Sequence, residues 1–191
     1  MTPIINAEAQ NTNADNSKQP IVFWASGPVQ PDETVLLMGG LFHNDSKILI
    51  RRLEDIGDTE DNLNDWSVIT PLQISQQSLK FVIPEDWKMG VFACRVSCGD
   101  LLSSTILINM PDVWWVQGDG GETVSPGGWL RIFGKCLDFH EQTVVRLSHK
   151  TSKDIVLPTK KTSCYALYAD LPKDIELGEY TVSVYNGFGG K

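Results

Sequence analysis

Residues 29–42 read VQPDETVLLMGGLF, and residues 124–137 read VSPGGWLRIFGKCL. At an offset of 95 positions (29 to 124), Val29, Pro31 and Gly39 fall on Val124, Pro126 and Gly134. A second pair follows. IPEDWKMGVFACRVSCG, from Ile83, lies over LPKDIELGEYTVSVYNG, from Leu171, at an offset of 88 (83 to 171). Here Pro84, Asp86, Gly90, Val96 and Gly99 meet Pro172, Asp174, Gly178, Val184 and Gly187. Between these anchors polarity is kept, as in Ile83 with Leu171 and Met89 with Leu177. Order, spacing and turn residues all agree, which is the signature of a duplicated unit. The fall in offset from 95 to 88 puts seven extra residues in the first copy.

The unit is made of strands. Runs at 33–38, 47–53, 79–83, 91–98 and 104–108 are β-branched or alternating and are bounded by Gly, Pro and Asp. The same order returns at 129–133, 143–147, 166–171 and 179–185, the pattern of an all-β sandwich. In the strand after P-x-D-x-x-x-G, Phe92, Cys94 and Val96 alternate with Val91, Ala93 and Arg95, and Tyr180, Val182 and Val184 take the matching places. Cys94 therefore stands where the second copy has a core valine. The glycine of that connection, Gly90 or Gly178, is expected to take a positive φ.

Length and composition bound the rest. A chain of 191 residues, 41% hydrophobic and 21% charged, has room for two modules of roughly 90–100 residues. Residues 1–20, rich in Asn, Ala, Gln and Asp, read as a disordered leader with neither basic start nor apolar stretch, so they are not a secretory signal. Residues 21–110 and 111–191 are the expected sandwiches. No apolar run approaches the roughly 20 residues of a membrane span. With a net charge of -8, and only Lys160–Lys161 as a basic cluster, nucleic acid is excluded as a partner. Cys94 and Cys98, about 13 Å apart along one strand, are beyond disulfide reach. A Cys136–Cys164 bond stays open beside the expectation of buried free thiols.

The anchors resemble the IPT/TIG module, whose pattern is a G-P opening, P-G-x-x-v-x-i-x-G-x-x-F, and a closing G-x-Y-x-v-x-v-x-N. Gly27, Pro28, Pro31, Gly39 and Phe42 fit the opening; Gly178, Tyr180, Val182, Val184 and Asn186 fit the close. Asp32 departs from the usual Gly, and Cys98 from Asn. The resemblance covers Ile21 onward and implies two tandem immunoglobulin-like β-sandwiches. The first copy continues into DLLSSTILIN (100–109), a closing strand, whereas the second ends at GFGGK, so Lys191 reads as a truncation point. The tandem modules and WWVQGDGG also resemble the N-terminal region of large bacterial proteins that carry β-helix, pectate-lyase-like domains. That likeness implies a carbohydrate-active parent, secreted or at the cell surface, although no export signal is present and the cytoplasm stays open.

Catalytic signatures such as G-x-S-x-G, a P-loop or H-E-x-x-H are absent, and His43, His140 and His149 read as solvated loop residues. The acidic stretch LEDIGDTEDNLNDW (53–66) holds Asp58, Glu60 and Asp61. Oxygen ligands at this spacing could hold Ca²⁺. A solvated loop carrying the seven extra residues is the expectation, with no cofactor. Trp87 reads as core, and Trp24 as a plug at the sandwich end. Trp114 and Trp115 lie in PDVWWVQGDGG, the connection between copies, where one is expected to set the angle between modules.

In WLRIF, Leu130 and Ile132 point inward while Trp129, Arg131 and Phe133 form a stripe on the outer face. Flat rings beside a donor suit a sugar, whose C–H face stacks while its hydroxyls bond. They equally suit a contact between domains. The leading expectation is a non-catalytic accessory pair whose partners are other domains of its parent chain. The alternatives are a polysaccharide-binding module and a contributor to the active site of a polysaccharide-degrading enzyme.

Overall fold

The computed structural model describes residues 18–54 and 65–189, and every regular element in them is a β-strand. The first group is β1 (Ile21–Ala25), β2 (Thr34–Gly40), β3 (Lys47–Arg52), β4 (Ser67–Ile69), β5 (Gln73–Ile74), β6 (Ser78–Val82), β7 (Phe92–Cys98), β8 (Leu101–Leu102) and β9 (Ile106–Ile108). The second is β10 (Asp112–Gly118), β11 (Trp129–Lys135), β12 (Val144–His149), β13 (Ile155–Ser163), β14 (Ala166–Asp170) and β15 (Tyr180–Tyr185). The expected runs all lie within these strands or within a residue or two of them. β1, β4, β5, β10 and β13 fall outside the expected runs.

In the first sandwich the order β1-β2-β6-β5 faces β4-β3-β7-β8, and β9 also pairs with β7. Alternation along each strand sends one row of side chains inward. Val35, Leu37, Leu79 and Phe81 from one sheet meet Ile48, Ile50, Phe92, Cys94 and Val96 from the other in one buried core. The second sandwich has a continuous path, β10-β11-β14-β13-β12-β15. Its two sheets share β13, because Ile155–Pro158 pairs with β12 while Thr159, Lys160 and Ser163 pair with β14. Leu130, Ile132, Val145, Leu147 and Leu167 fill this core. Burying each such aliphatic side chain contributes about 1.5–3 kcal/mol.

The backbone repeats its special conformations at aligned positions. Asp32 and Gly127 have φ of 67° and 77°, Leu41 and Cys136 have 62° and 55°, and Gly99 and Gly187 have 57° and 94°. Asp32, the departure from the motif's glycine, thus keeps the glycine's conformation. The positive φ expected at Gly90 and Gly178 is not there. These glycines answer to space instead: a Cβ would stand 2.6 Å from Arg52 Nε at Gly90, and 2.6 Å from His149 Nε2 at Gly178.

The junction between the sandwiches is polar and buried. Asn109 Nδ2 donates to Val29 O (2.7 Å) and Gly90 O (3.0 Å), and its Oδ1 accepts from Val29 N (2.9 Å). Asn186 Nδ2 donates to both Asn109 O and Cys136 O, each at 2.9 Å. Beside them Phe188 packs against Leu53, Val91 and Ala93. Neither Trp114 nor Trp115 holds the angle. Trp114 and Trp115 lie instead on the outer surface, and Trp24 is not a plug but half exposed on β1. Trp87 does join the first core, its ring 5.8 Å from that of Phe92. All four cysteines are free, and the Ca²⁺ candidates Asp58, Glu60 and Asp61 lie outside the described residues.

Candidate functional site: an aromatic face around Arg131

A β-bulge builds the face. Val113 pairs with Gly134 and Trp115 with Phe133, so two residues of β10 oppose one of β11. Val113 and Val116 then both reach the core, while Trp114 and Trp115 both turn outward, 63% and 55% exposed. The indole of Trp115 stacks on its cross-strand partner Phe133, with centroids 5.0 Å apart and planes 16° from parallel. Trp114 lies to the side, its Nε1 donating to Asp112 Oδ2 at 2.9 Å.

On β11 the expected alternation holds. Leu130 and Ile132 are buried, while Trp129 is 38% exposed. Registry carries the outer row across four strands, with Gln117 opposite Arg131, Arg131 opposite Tyr168 and Tyr168 opposite Lys160. The guanidinium carbon of Arg131 lies 4.5 Å from the Phe133 centroid and 5.2 Å from that of Tyr168. A cation held over aromatic faces is attracted to both rings by about 0.5–2 kcal/mol each. Arg131 Nε is buried and has no hydrogen-bond partner among the described residues. Trp129 closes the row, its centroid 6.3 Å from Tyr168, with Asp170 opposite it in register. Lys160 and Asp170 form an ion pair at the margin.

The structure therefore brings Trp129, Arg131, Phe133 and Trp115 together and sets Trp114 beside them. Sequence reading missed Tyr168, Gln117 and Lys160. Tyr168 was legible, since it alternates with buried Leu167 and Ala169. Gln117, opposite Arg131 on β10, and Lys160, opposite Tyr168 on β13, depend on which strands lie side by side, which no local pattern carries. Among the described residues no group of three or more His, Cys, Asp or Glu side chains converges to hold a metal. Among the described residues no helix is long and apolar enough to cross a membrane.

No protein-family model and no curated protein matches the chain. Among solved structures it is similar to SGBP-B from a complex xyloglucan utilization locus in Bacteroides uniformis, at 11% identity and a TM-score of 0.35 over 91% of this chain and 48% of that one. It is also similar to the plexin A4 full extracellular region, at 13% identity and a TM-score of 0.34 over 97% of this chain and 19% of that one. A third likeness is to the FN1–FN3 domains of chicken CNTN1, at 11% identity and a TM-score of 0.26 over 91% and 65% of the two chains. The chain thus spans about half the length of the first of these and a fifth of the second. At such identities and TM-scores the likenesses carry no argument about ligand or partner.

Proposed function

We propose that this chain is a non-catalytic accessory pair of immunoglobulin-like sandwiches from a larger carbohydrate-active protein, and that the outer face of its second sandwich binds polysaccharide. One observation carries the reading: Trp115 and Trp129 stand exposed on the outer face, with half-buried Phe133 and Tyr168 and the donor-rich cation of Arg131 between them. Sugar rings have apolar C–H faces that lie on an aromatic ring and hydroxyls that accept from a guanidinium. Strands hold the rings at fixed spacing, which lowers the entropy cost of binding. On this reading the parent works outside the cell or at its surface. We also assign the sandwiches, dividing near Met110, to two copies of one IPT/TIG-like module. The paired positive-φ positions and the matching bulges at Val22/Trp24 and Val113/Trp115 support that assignment.

A second reading makes the same face a contact with another domain of the parent. Trp, Tyr and Arg are the residues that dominate protein interfaces, which favours it.

The test is migration of the protein in native gels cast with soluble plant, fungal or bacterial polysaccharides, with Trp129→Ala and Arg131→Ala run alongside. Circular dichroism checks that each variant is folded. The expected result is retardation by one polymer class that weakens about tenfold, equivalent to about 1.4 kcal/mol, in either variant. Unchanged migration in every polymer would remove the polysaccharide reading and leave the domain contact.

A further inference from the structure

The aromatic row does not end within the second sandwich. Along β11 the outward positions are Trp129, Arg131, Phe133 and Lys135, which alternate ring and cation. At about 3.3 Å per residue, Arg131 and Lys135 stand about 13 Å apart with Phe133 between them. Beyond Lys135 the next ring belongs to the first sandwich, for the Lys135 ammonium lies 6.0 Å from the Trp24 centroid. The alternation therefore runs Trp129, Arg131, Phe133, Lys135, Trp24 and crosses from one module to the other.

Trp24 is set in place by the device that sets Trp115. The bulge at Val22/Trp24 repeats that at Val113/Trp115, and Trp24 pairs with Met38 as Trp115 pairs with Phe133. Both indoles are exposed. Each module thus presents a flat ring at the matching point of its outer face.

The charges select the ligand. With a net charge of -8, the chain as a whole repels anions. Two basic residues elsewhere on the second sandwich are neutralised, Lys160 by Asp170 and Arg146 by Asp154. Among the described residues Arg131 and Lys135 enter no ion pair, and each lies beside a ring. Asp112, opposite Lys135 in register, is engaged by the Trp114 indole. A cation without a carboxylate of its own can take one from a ligand. Two such cations with a ring between them suit a chain whose charges are single and spaced. Asp112 and Asp170 at the margins disfavour a densely sulfated one.

We propose that the ligand of this face is a linear polysaccharide bearing carboxylates, as uronic acids do, and that it extends across both sandwiches. The inference rests on the polysaccharide reading above and names its substrate class. Sugar faces lie on Trp129, on the Trp115–Phe133 pair and on Trp24, while Arg131 and Lys135 each hold a carboxylate between them. Lys135 and Trp24 thereby join the site, and the first sandwich takes part in binding.

The test is isothermal titration calorimetry of the whole protein with alginate, polygalacturonate and hyaluronan, each beside its methyl ester, and with neutral galactan and glucomannan. The ester keeps the chain and removes the charge. One carboxylated polymer is expected to bind, and its ester about tenfold more weakly. Lys135→Ala is expected to weaken binding about fivefold and Trp24→Ala about tenfold, with circular dichroism unchanged because both residues lie outside the cores. Lys153→Ala removes an equal charge from an exposed position off the row and is expected to leave binding as it was. Equal binding of acid and ester, or binding of a neutral polymer alone, would overturn the carboxylate and leave the polysaccharide reading standing. Acid-specific binding that neither Lys135→Ala nor Trp24→Ala moves would overturn the extension to the first sandwich. Binding of no polymer would remove this inference together with the reading beneath it.

Discussion

Asn186 has no exposed surface, yet its amide serves three backbone groups: Nδ2 donates to Asn109 O and Cys136 O, and Oδ1 accepts from Phe188 N at 3.2 Å. Alanine there leaves those groups without this partner in a place water does not reach. Asn186→Ala is expected to lower stability by about 2–3 kcal/mol in urea unfolding, since each buried orphan costs about 1–3 kcal/mol. The thiols report burial differently. Desolvation raises Cys94 far above the ordinary thiol range. It also pushes Cys136 up to about 11, with the charge of Lys135 opposing. Cys164 is raised too, by burial first and then by Asp138, but it is partly exposed. A thiol-specific reagent near pH 8 is therefore expected to modify Cys164 first and Cys94 only on unfolding, as read by mass spectrometry. Cys136 also couples folding to pH. Below the ordinary thiol value of 9.0 it is protonated in both states; from there to about 11 only the unfolded chain releases the proton. Stability must then fall as pH rises through that window, and Cys136→Ala should flatten the part of the fall that this thiol causes.

At the scale of elements, the bulges explain two anchors of the repeat. Gly39 pairs with Val22 and Gly134 with Val113, where each bulge begins. A Cβ at Gly39 would strike the Ile21 carbonyl oxygen, and one at Gly134 the Asp112 carbonyl oxygen. These positions need glycine because a neighbouring backbone crosses closely, and neither has a positive φ. Gly134→Ala is expected to cost about 1–3 kcal/mol, as forced shifts in packed places do. Gly40→Ala, with nothing within 4 Å of its Cβ, should change stability by less than about 0.5 kcal/mol. Urea midpoints of the two variants check the contrast. β13 was hidden in the sequence because Pro158 and two lysines break its apolar pattern. Where the strand passes from one sheet to the other Pro158 and Lys160 are exposed, and there a proline and a charged side chain are tolerated.

For the molecule as a whole, two separate cores are joined by a buried network that neither could satisfy alone. Phe188 covers Ala93 and Leu53 of the first sandwich, with the Arg52 guanidinium carbon 5.5 Å from its ring centroid. Opening the junction would expose these apolar surfaces and strand Asn186. The intact protein is therefore expected to unfold in a single calorimetric transition. Phe188→Ala, which keeps both cores and removes the apolar part of the junction, is expected to split it into two. The outer surface also passes from one sandwich to the other, for Lys135 at the end of the β11 row lies 6.0 Å from the Trp24 ring.

The succession of strands along the chain and the inward row of each were set by the sequence itself, because alternation and turn residues act over a few neighbours. The outward stripe of Trp129, Arg131 and Phe133 was legible for the same reason. Tertiary structure alone decided which rings meet Arg131. Trp115 arrives through a bulge, and Tyr168 through the pairing of β11 with β14, a contact between residues far apart in the chain. It also decided that two asparagines, and not Trp114 or Trp115, join the sandwiches, since a buried amide shows its worth only once folding has brought the carbonyls it must satisfy.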